Sequence, residues 1–542
     1  MTSGNWLKEA VIYQIYPQSF QDSNGDGIGD LQGLISRLDY IQDLGINTIW
    51  LNPCFDSPFG DAGYDIRDFY QIAPRYGDEA DFAELVAAAH ARGIKVVLDL
   101  VAGHTSMDNP WFVEEAANPH HSEANRYIWK NRDFDPKVGP VKGDFVSNFF
   151  WYQPALNFGY SEPSEPWQDP IDAPGPMKNR AELKKILAYW FELGCDGFRV
   201  DMAGSLVKPE GTPASMKAVE AIWQEIRSWI DEVYPDRVLI SEWSFPERAI
   251  GAGFHLDFML HFNTPGYSSL FFNGNGTLPP PEGQEHCYFN AEGRGSLAVF
   301  RKSYMEQRAA TEGKGLITLP VGCHDFQRLR CAPRDWDELR CAWVFFMTQA
   351  GPPTIYYGEE IGMRYVEGVP SKEGSLLDGI IAVNAGTTGL GERAGTRTPM
   401  QWDDTANAGF STAAAEDLYL PIDPDMDRPT VVAQEKDPES LLHFVRQLIA
   451  IRKDHPALGT DAGIQILNSE GDDYPFVYLR ELNETRYLVA VNPSRESKTL
   501  VVDLTGGPGE SLLNEGCHFS KTEGGLSIQV AGFGYGITEL IN

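Results

Sequence analysis

"GFRVDM", residues 197–202, sets an arginine and an aspartate two positions apart in an apolar run. If the run is a strand, Arg199 and Asp201 point to the same face. Seven further runs of this kind follow the chain: "AVIYQIYP" (10–17), "TIWLNP" (48–53), "KVVLDLVA" (95–102), "RVLISEW" (237–243), "DFMLHFN" (257–263), "LITLPVG" (316–322) and "PTIYYGEE" (353–360). Helical periodicity falls between many of them, in "LQGLISRLDYIQDLG" (31–45), "EADFAELVAAAHARG" (79–93), "RAELKKILAYWFELG" (180–194) and "MKAVEAIWQEIRSWIDEVY" (216–234). The first three end at a glycine, the usual helix stop. Strands alternating with helices predict a parallel sheet covered on both faces, and a count of eight favours a (β/α)8 barrel. An open doubly wound sheet is the alternative that the count disfavours.

The alternation breaks after "LVAGHTS". Residues 105–157 are rich in Trp, Asn, Asp and Pro without clear period. An insertion after the third strand would lie over the C-terminal end of the barrel, where active sites sit. "EPSEPWQDPIDAPGP" (162–176) reads as a surface loop. Beyond "LLHFVRQLIAIRKDHPAL" (441–458), the segments "FVYLREL", "RYLVAVNP", "SKTLVVDL" and "GLSIQVAG" read as antiparallel strands. The expected division is a barrel over 1–104 and 158–459, an insertion over 105–157 and a small β-sandwich over 460–542.

Bulk composition narrows the function. Of 542 residues, 77 are acidic and 44 basic, a formal charge of −33. Such a surface argues against a nucleic-acid or anionic-membrane partner. The seven cysteines are widely spaced with no CxxC pair, as expected of reduced thiols in a cytoplasmic protein. "MTSGNWLKEAVIYQIYPQSF" lacks the pattern of a signal peptide, and no apolar run has the length of a membrane span.

Several predicted strands end in charge. "DLVAGH" offers Asp99 and His104, "GFRVD" offers Arg199 and Asp201, "ISEW" offers Glu242, and "GCHD" offers His324 and Asp325. In a barrel these ends converge. Burying carboxylates together is costly unless they are paired or used. Two close carboxylates suit retaining glycoside hydrolysis: one attacks the anomeric carbon, the other protonates the leaving oxygen and then activates water. The acid needs a raised pKa, and Arg199 is placed to keep Asp201 ionised. A structural ion-pair network is the other reading of the set.

"DSNGDGIGD" (22–30) resembles half of an EF-hand. Asp22, Asn24 and Asp26 alternate before Gly27, but the position of the bidentate glutamate falls on Gly33. A structural divalent-cation loop fits better than a sensor, and an empty turn is the other reading.

The ordered motifs "VIYQIYPQSF", "GYDIRDFY", "GFRVDM", "GEEIGM", "RTPMQWD", "NAGFS" and "RKDHPAL" resemble glycoside hydrolase family 13, the α-amylase family, and in particular its α-glucosidase and oligo-1,6-glucosidase branch. The resemblance covers nearly the whole chain. It implies Asp201 as nucleophile, Glu242 as acid/base and Asp325 as the third carboxylate. It implies Arg199 as the residue orienting the nucleophile, His104 and His324 as binders of the non-reducing glucose, and Tyr64 as a platform beneath that ring. Asp65 and Arg328 resemble the pair that closes the pocket in exo-acting members. The opening loop resembles the branch's metal loop, with Asp22, Asn24, Asp26, the Ile28 carbonyl and Asp30 as ligands for a structural Ca2+ or Mg2+.

Three departures stand out. Gly103 and Cys323 replace asparagines usual in the family, and the first replacement removes a ligand of a different calcium site. Met202 follows the nucleophile position, where Val or a smaller residue tracks linkage preference. The insertion also looks short. The expected activity is an exo-acting, retaining α-glucosidase on a small α-glucoside or short oligosaccharide. Transglucosylation through the same intermediate is the nearest alternative. A non-catalytic relative serving as an interaction scaffold is a third, although such relatives carry a membrane span and lack the carboxylates kept here.

Overall fold

The computed structural model describes residues 5–121, 125–260, 265–271, 286–331, 334–373 and 393–541. Eight short parallel strands form one sheet: β1 (Ile12–Ile15), β2 (Thr48–Leu51), β3 (Lys95–Val101), β4 (Gly197–Asp201), β5 (Val238–Ser241), β6 (Leu256–Phe258), β7 (Leu316–Thr318) and β8 (Thr354–Tyr356). Each predicted run overlaps one of them; β6 starts one residue before "DFMLHFN". The last part of "DFMLHFN", residues 261–263, lies outside the described residues. Neighbours follow chain order from β1 to β7, and β8 pairs with β1. A parallel bridge from Pro320 to Thr354 and a 3.0 Å bond from the Val321 N–H to the Thr354 carbonyl close the ring. This is a (β/α)8 barrel. Its strands are buried almost throughout, which is why β3 reads as a near-continuous apolar run rather than an alternating one.

The helices obey local signals. In the helix Glu79–Ala91, the Asp78 side chain accepts from the Ala80 and Asp81 N–H groups, and Asp81 answers in a capping box. Thr212 caps the helix Pro213–Val233, whose first residue is proline. The run 31–45 forms two short helices, Leu31–Ser36 and Leu38–Leu44, divided at Arg37. Gly45, at φ 94°, ends the second in the left-handed conformation that glycine adopts without strain. The helix expected over 180–194 starts earlier, at Pro174.

Between β3 and the helix that starts at Pro174 lie a shorter helix, Pro110–Ala117, and irregular segments joined by isolated bridges, among them His104 to Ala155 and Tyr127 to Leu156. The C-terminal part is a six-stranded antiparallel sheet of β9 (Gly463–Ile466), β10 (Phe476–Leu482), β11 (Thr485–Val491), β12 (Lys498–Val502), β13 (Gly507–Thr522) and β14 (Gly525–Ile541). Among the described residues no helix is long and apolar enough to cross a membrane. All seven cysteines are buried and unbridged.

Candidate active site

The fold brings the strand-end charges together around Arg199. Its guanidinium lies 2.9 Å from Asp99, 3.1 Å from Asp201 and 2.8 Å from Glu242. Asp201 ends β4, and Glu242 follows the last residue of β5. The two carboxyls thus bind the one guanidinium. Burial, and then the Glu242 charge, push Asp201 well above the usual carboxylate range, against the pull of Arg199. Arg199 was expected to favour ionised Asp201. Its charge does act on Asp201 in that direction, though outweighed; its shorter contact is to Glu242, and the Met202 N–H also donates to Glu242 Oε2 at 3.1 Å. Met202 takes φ 41° to do so, in the left-handed region.

Asp325 follows β7. It sits 2.9 Å from Arg393, 3.2 Å from Arg397 and 3.1 Å from His324 Nε2. Burial would raise its pKa, but His324, Arg393 and Arg397 together hold it well below the ordinary range. His324 is buried, and burial keeps its ring neutral. Gln14 Nε2 lies 2.9 Å from Nδ1, and the Tyr64 hydroxyl lies 2.7 Å from Nε2. Tyr64 stacks on His324 with ring centres 5.4 Å apart, and its hydroxyl donates to Asp99 at 3.1 Å. Burial raises Asp99 to about 6.

His104 is buried, and burial lowers its pKa to about 3. Its Nδ1 meets Asn148 Nδ2 at 3.1 Å, while Nε2 has no hydrogen-bond partner. Asn148 also donates to Ser205 at 3.0 Å and accepts from Lys208 at 2.6 Å. Gly103 makes room for this chain: a Cβ there would stand 2.7 Å from Asn148 Nδ2.

The pairing of Asp65 with Arg328 is corrected. Asp65 accepts from the N–H groups of Gly60 (2.8 Å) and Asp61 (3.0 Å) and from Ser57 Oγ (3.0 Å). Burial, then the charge of Asp61, raises it to about 7. Arg328 donates to the Tyr357 carbonyl at 2.7 Å, lies 3.4 Å from Glu359 and packs over Tyr356 and Tyr357. The ion pair that reaches the site is Asp61–Arg393, at 2.8 Å. Sequence reasoning stopped at the wrong acidic residue of "GDAGYD" and did not use the arginine four positions before "RTPMQWD". Arg397, the first residue of that motif, was likewise given no role. It bridges Asp325 and Glu373, the latter at 2.6 Å.

Cys323 is buried, and its Sγ lies 3.4 Å from His324 Nδ1, so it borders the site. In the opening loop, Asp22 accepts from the N–H groups of Asn24 (3.0 Å), Gly25 (2.7 Å) and Gly27 (2.8 Å) and from Ser411 Oγ (2.6 Å). Asn24 and Asp26 accept from Asp26 and Ile28 N–H groups, both at 2.9 Å, and Asp30 caps the following helix. The donors are hard oxygens in one loop, the chemistry a Ca2+ or Mg2+ ion selects.

A family model described as "Alpha amylase, catalytic domain" matches residues 14–461. The chain belongs to the α-amylase family, glycoside hydrolase family 13. It is a glycoside hydrolase. It is 30% identical to an oligo-1,6-glucosidase of Parageobacillus thermoglucosidasius, over 91% of each chain. It is 32% identical to the trehalose synthase/amylase TreS of Mycobacterium tuberculosis (strain H37Rv), over 84% of this chain and 76% of that protein. Among solved structures, the trehalulose synthase MutB of Pseudomonas mesoacidophila superposes with a TM-score of 0.76 at 26% identity, covering 99% of both chains. The scaffold alternative thus gives way to an enzyme.

Proposed function

We propose that this family member is a retaining, exo-acting α-glucosidase. The observation that carries the reading is that one guanidinium, that of Arg199, holds Asp201 at 3.1 Å and Glu242 at 2.8 Å. Retaining enzymes keep their carboxyls about 5–5.5 Å apart, against about 6.5–9.5 Å in inverting ones, and two carboxyls bound to one guanidinium support the shorter spacing. Asp201 attacks the anomeric carbon as the glycosidic bond breaks. Glu242 gives its proton to the departing oxygen. The glycosyl-aspartate ester is then cleaved by water, whose proton returns to Glu242.

The remaining candidates hold the sugar. Asp325, His324 and His104 face its hydroxyls, and Tyr64 with His324 gives an aromatic wall. Asp61–Arg393 caps the far end, which supports release of a single terminal glucose. Met202 borders the aglycone side. Asp22, Asn24, Asp26, Ile28 and Asp30 are proposed to hold a structural cation, supplying cross-linking of the loop and no chemical step. The division at 105, 158 and 460 belongs to the same proposal.

A second reading is transfer of the glucosyl group to a sugar, or its isomerisation. The likeness to TreS and to MutB, which has been solved with the substrate sucrose, favours keeping it. The test is product analysis on maltose, isomaltose, nigerose, kojibiose, trehalose, sucrose and glucosylated small alcohols. Free α-glucose with retained configuration, lost in Asp201→Asn, supports hydrolysis. A new disaccharide as main product supports transfer. No product from folded enzyme sinks both.

A further inference from the structure

We propose that Asp257 is a positioning residue for the acid/base: its carboxyl fixes the main chain on both sides of Glu242 and so aims that side chain at the departing oxygen. Asp257 acts only through Glu242, so this role stands on the reading of Glu242 as acid/base.

The β5–β6 ladder ends at the pair of Ser241 with Asp257. Glu242 is the next residue, beyond the reach of strand pairing to β6. The Asp257 side chain takes over there. Its Oδ1 accepts from Ser241 Oγ at 2.7 Å and from the Trp243 N–H at 3.1 Å. One fully buried oxygen thus holds the residue before Glu242 and the residue after it.

The other restraints on Glu242 come from β4 and the residues just past it. Its N–H donates to the Val200 carbonyl at 2.9 Å, and its carbonyl accepts from the Ala203 N–H at 3.2 Å. Arg199 and the Met202 N–H hold its carboxyl. Asp257 is the counterpart on the β6 side. The chain then turns sharply: Ser244 stands at φ 63°, in the left-handed region. Such a residue persists where its surroundings hold it, and the Trp243 bond to Asp257 anchors the entry to this turn.

Burial raises Asp257 to about 7, against the pull of its two hydrogen bonds. Below that pH the group is a neutral acid whose Oδ1 accepts. Its Oδ2 has no hydrogen-bond partner, so Oδ1 alone does the holding. Asparagine keeps such an oxygen and alanine removes it. A general acid must approach its proton acceptor to about 2.6–3.2 Å. A leaving group that departs without a proton is indifferent to that distance.

The experiment uses the full-length enzyme and the variants Asp257→Ala, Asp257→Asn and Ser241→Ala. For each, kcat/KM is measured below pH 7 on the best-cleaved natural glucoside of the panel and on an activated aryl α-glucoside. Asp257→Ala should lose about 10–100-fold more on the natural glucoside than on the aryl one, the scale of a small misplacement. Ser241→Ala should shift the same ratio less, and Asp257→Asn should keep the wild-type ratio. If the alanine at 257 fails to fold, the ratio in Ser241→Ala decides. Equal losses on both substrates would leave Asp257 a stabilising group and overturn its positioning role. An asparagine ratio as low as that of alanine would overturn the assignment to Oδ1. Glu242→Gln separates the two readings: a selective loss there with none in Asp257→Ala removes only the role of Asp257, whereas equal loss on both substrates in Glu242→Gln removes the acid/base reading beneath it.

Discussion

Arg393 donates to Asp325 at 2.9 Å with one arm and to Asp61 at 2.8 Å with the other. One side chain thus ties the third carboxylate to the cap of the proposed pocket. Arg393→Ala leaves the buried Asp61 and the half-buried Asp325 each short of a partner, a loss of about 3–5 kcal/mol where a buried pair is broken. Activity, as kcat/KM, should fall about 10²–10³-fold. Removing the guanidinium also raises the pKa of Asp325, so the acid limb of the pH profile should move to higher pH. An unmoved acid limb in the variant would show that Arg393 does not set the Asp325 charge.

The assignments of Asp201 and Glu242 separate by leaving group. Glu242→Gln should lose at least about a thousandfold on natural glucosides but retain glycosylation of an activated aryl glucoside, with azide restoring turnover as glucosyl azide. Asp201→Asn should fail on both and gain nothing from azide. Equal rescue of both variants would reverse or abolish the assignment.

The barrel was legible because strands buried on both faces carry their signal in every residue. The C-terminal sheet was legible only in part. "GPGESLLNEGCHFSKT" forms the sixteen-residue β13, yet it is glycine-rich and largely exposed, so neither apolar alternation nor β-branched residues mark it. At the site, Asp201, Glu242 and Asp325 were readable because each sits beside a barrel strand of recognisable type. Asp61 and Arg393 were not, because their 2.8 Å contact joins positions 332 residues apart, and no local pattern encodes it.

Asp65 provides a pH test of the loop beneath the pocket. Its folded carboxyl is raised from 3.8 to about 7 by burial first and Asp61 second. The folded state therefore holds a proton that the unfolded chain has lost. The contribution to stability is full below about pH 4, falls as pH rises toward 7 and is flat above it. The slope is at most about 1.4 kcal/mol per pH unit. Asp65→Asn should flatten this part of the melting-temperature profile. The same slope in the variant would assign it to another group.

The opening loop predicts a stability effect without a kinetic one. Chelation should lower the melting temperature of the wild type, and Ca2+ or Mg2+ should restore it in proportion to free ion. Asp26→Ala removes an exposed oxygen donor and should abolish the ion response, while kcat below the melting transition stays level. A fall in kcat with unchanged melting would place the ion in the chemistry instead.

Gly103→Ala tests the polar chain behind His104. The added methyl would stand 2.7 Å from Asn148 Nδ2, closer than real Cβ atoms approach, and a tight 3.0 Å from Ser205 Oγ. Asn148 has little freedom to yield, because Lys208 holds its oxygen at 2.6 Å and Ser205 and His104 take its nitrogen. The expected cost is about 1–3 kcal/mol of stability, the range of an overpacked core. Displaced Asn148 would also release His104 Nδ1, so KM for the glucoside should rise more than kcat falls. Gly103→Ala with unchanged melting and unchanged KM would mean that the chain from Lys208 to His104 does not orient the imidazole.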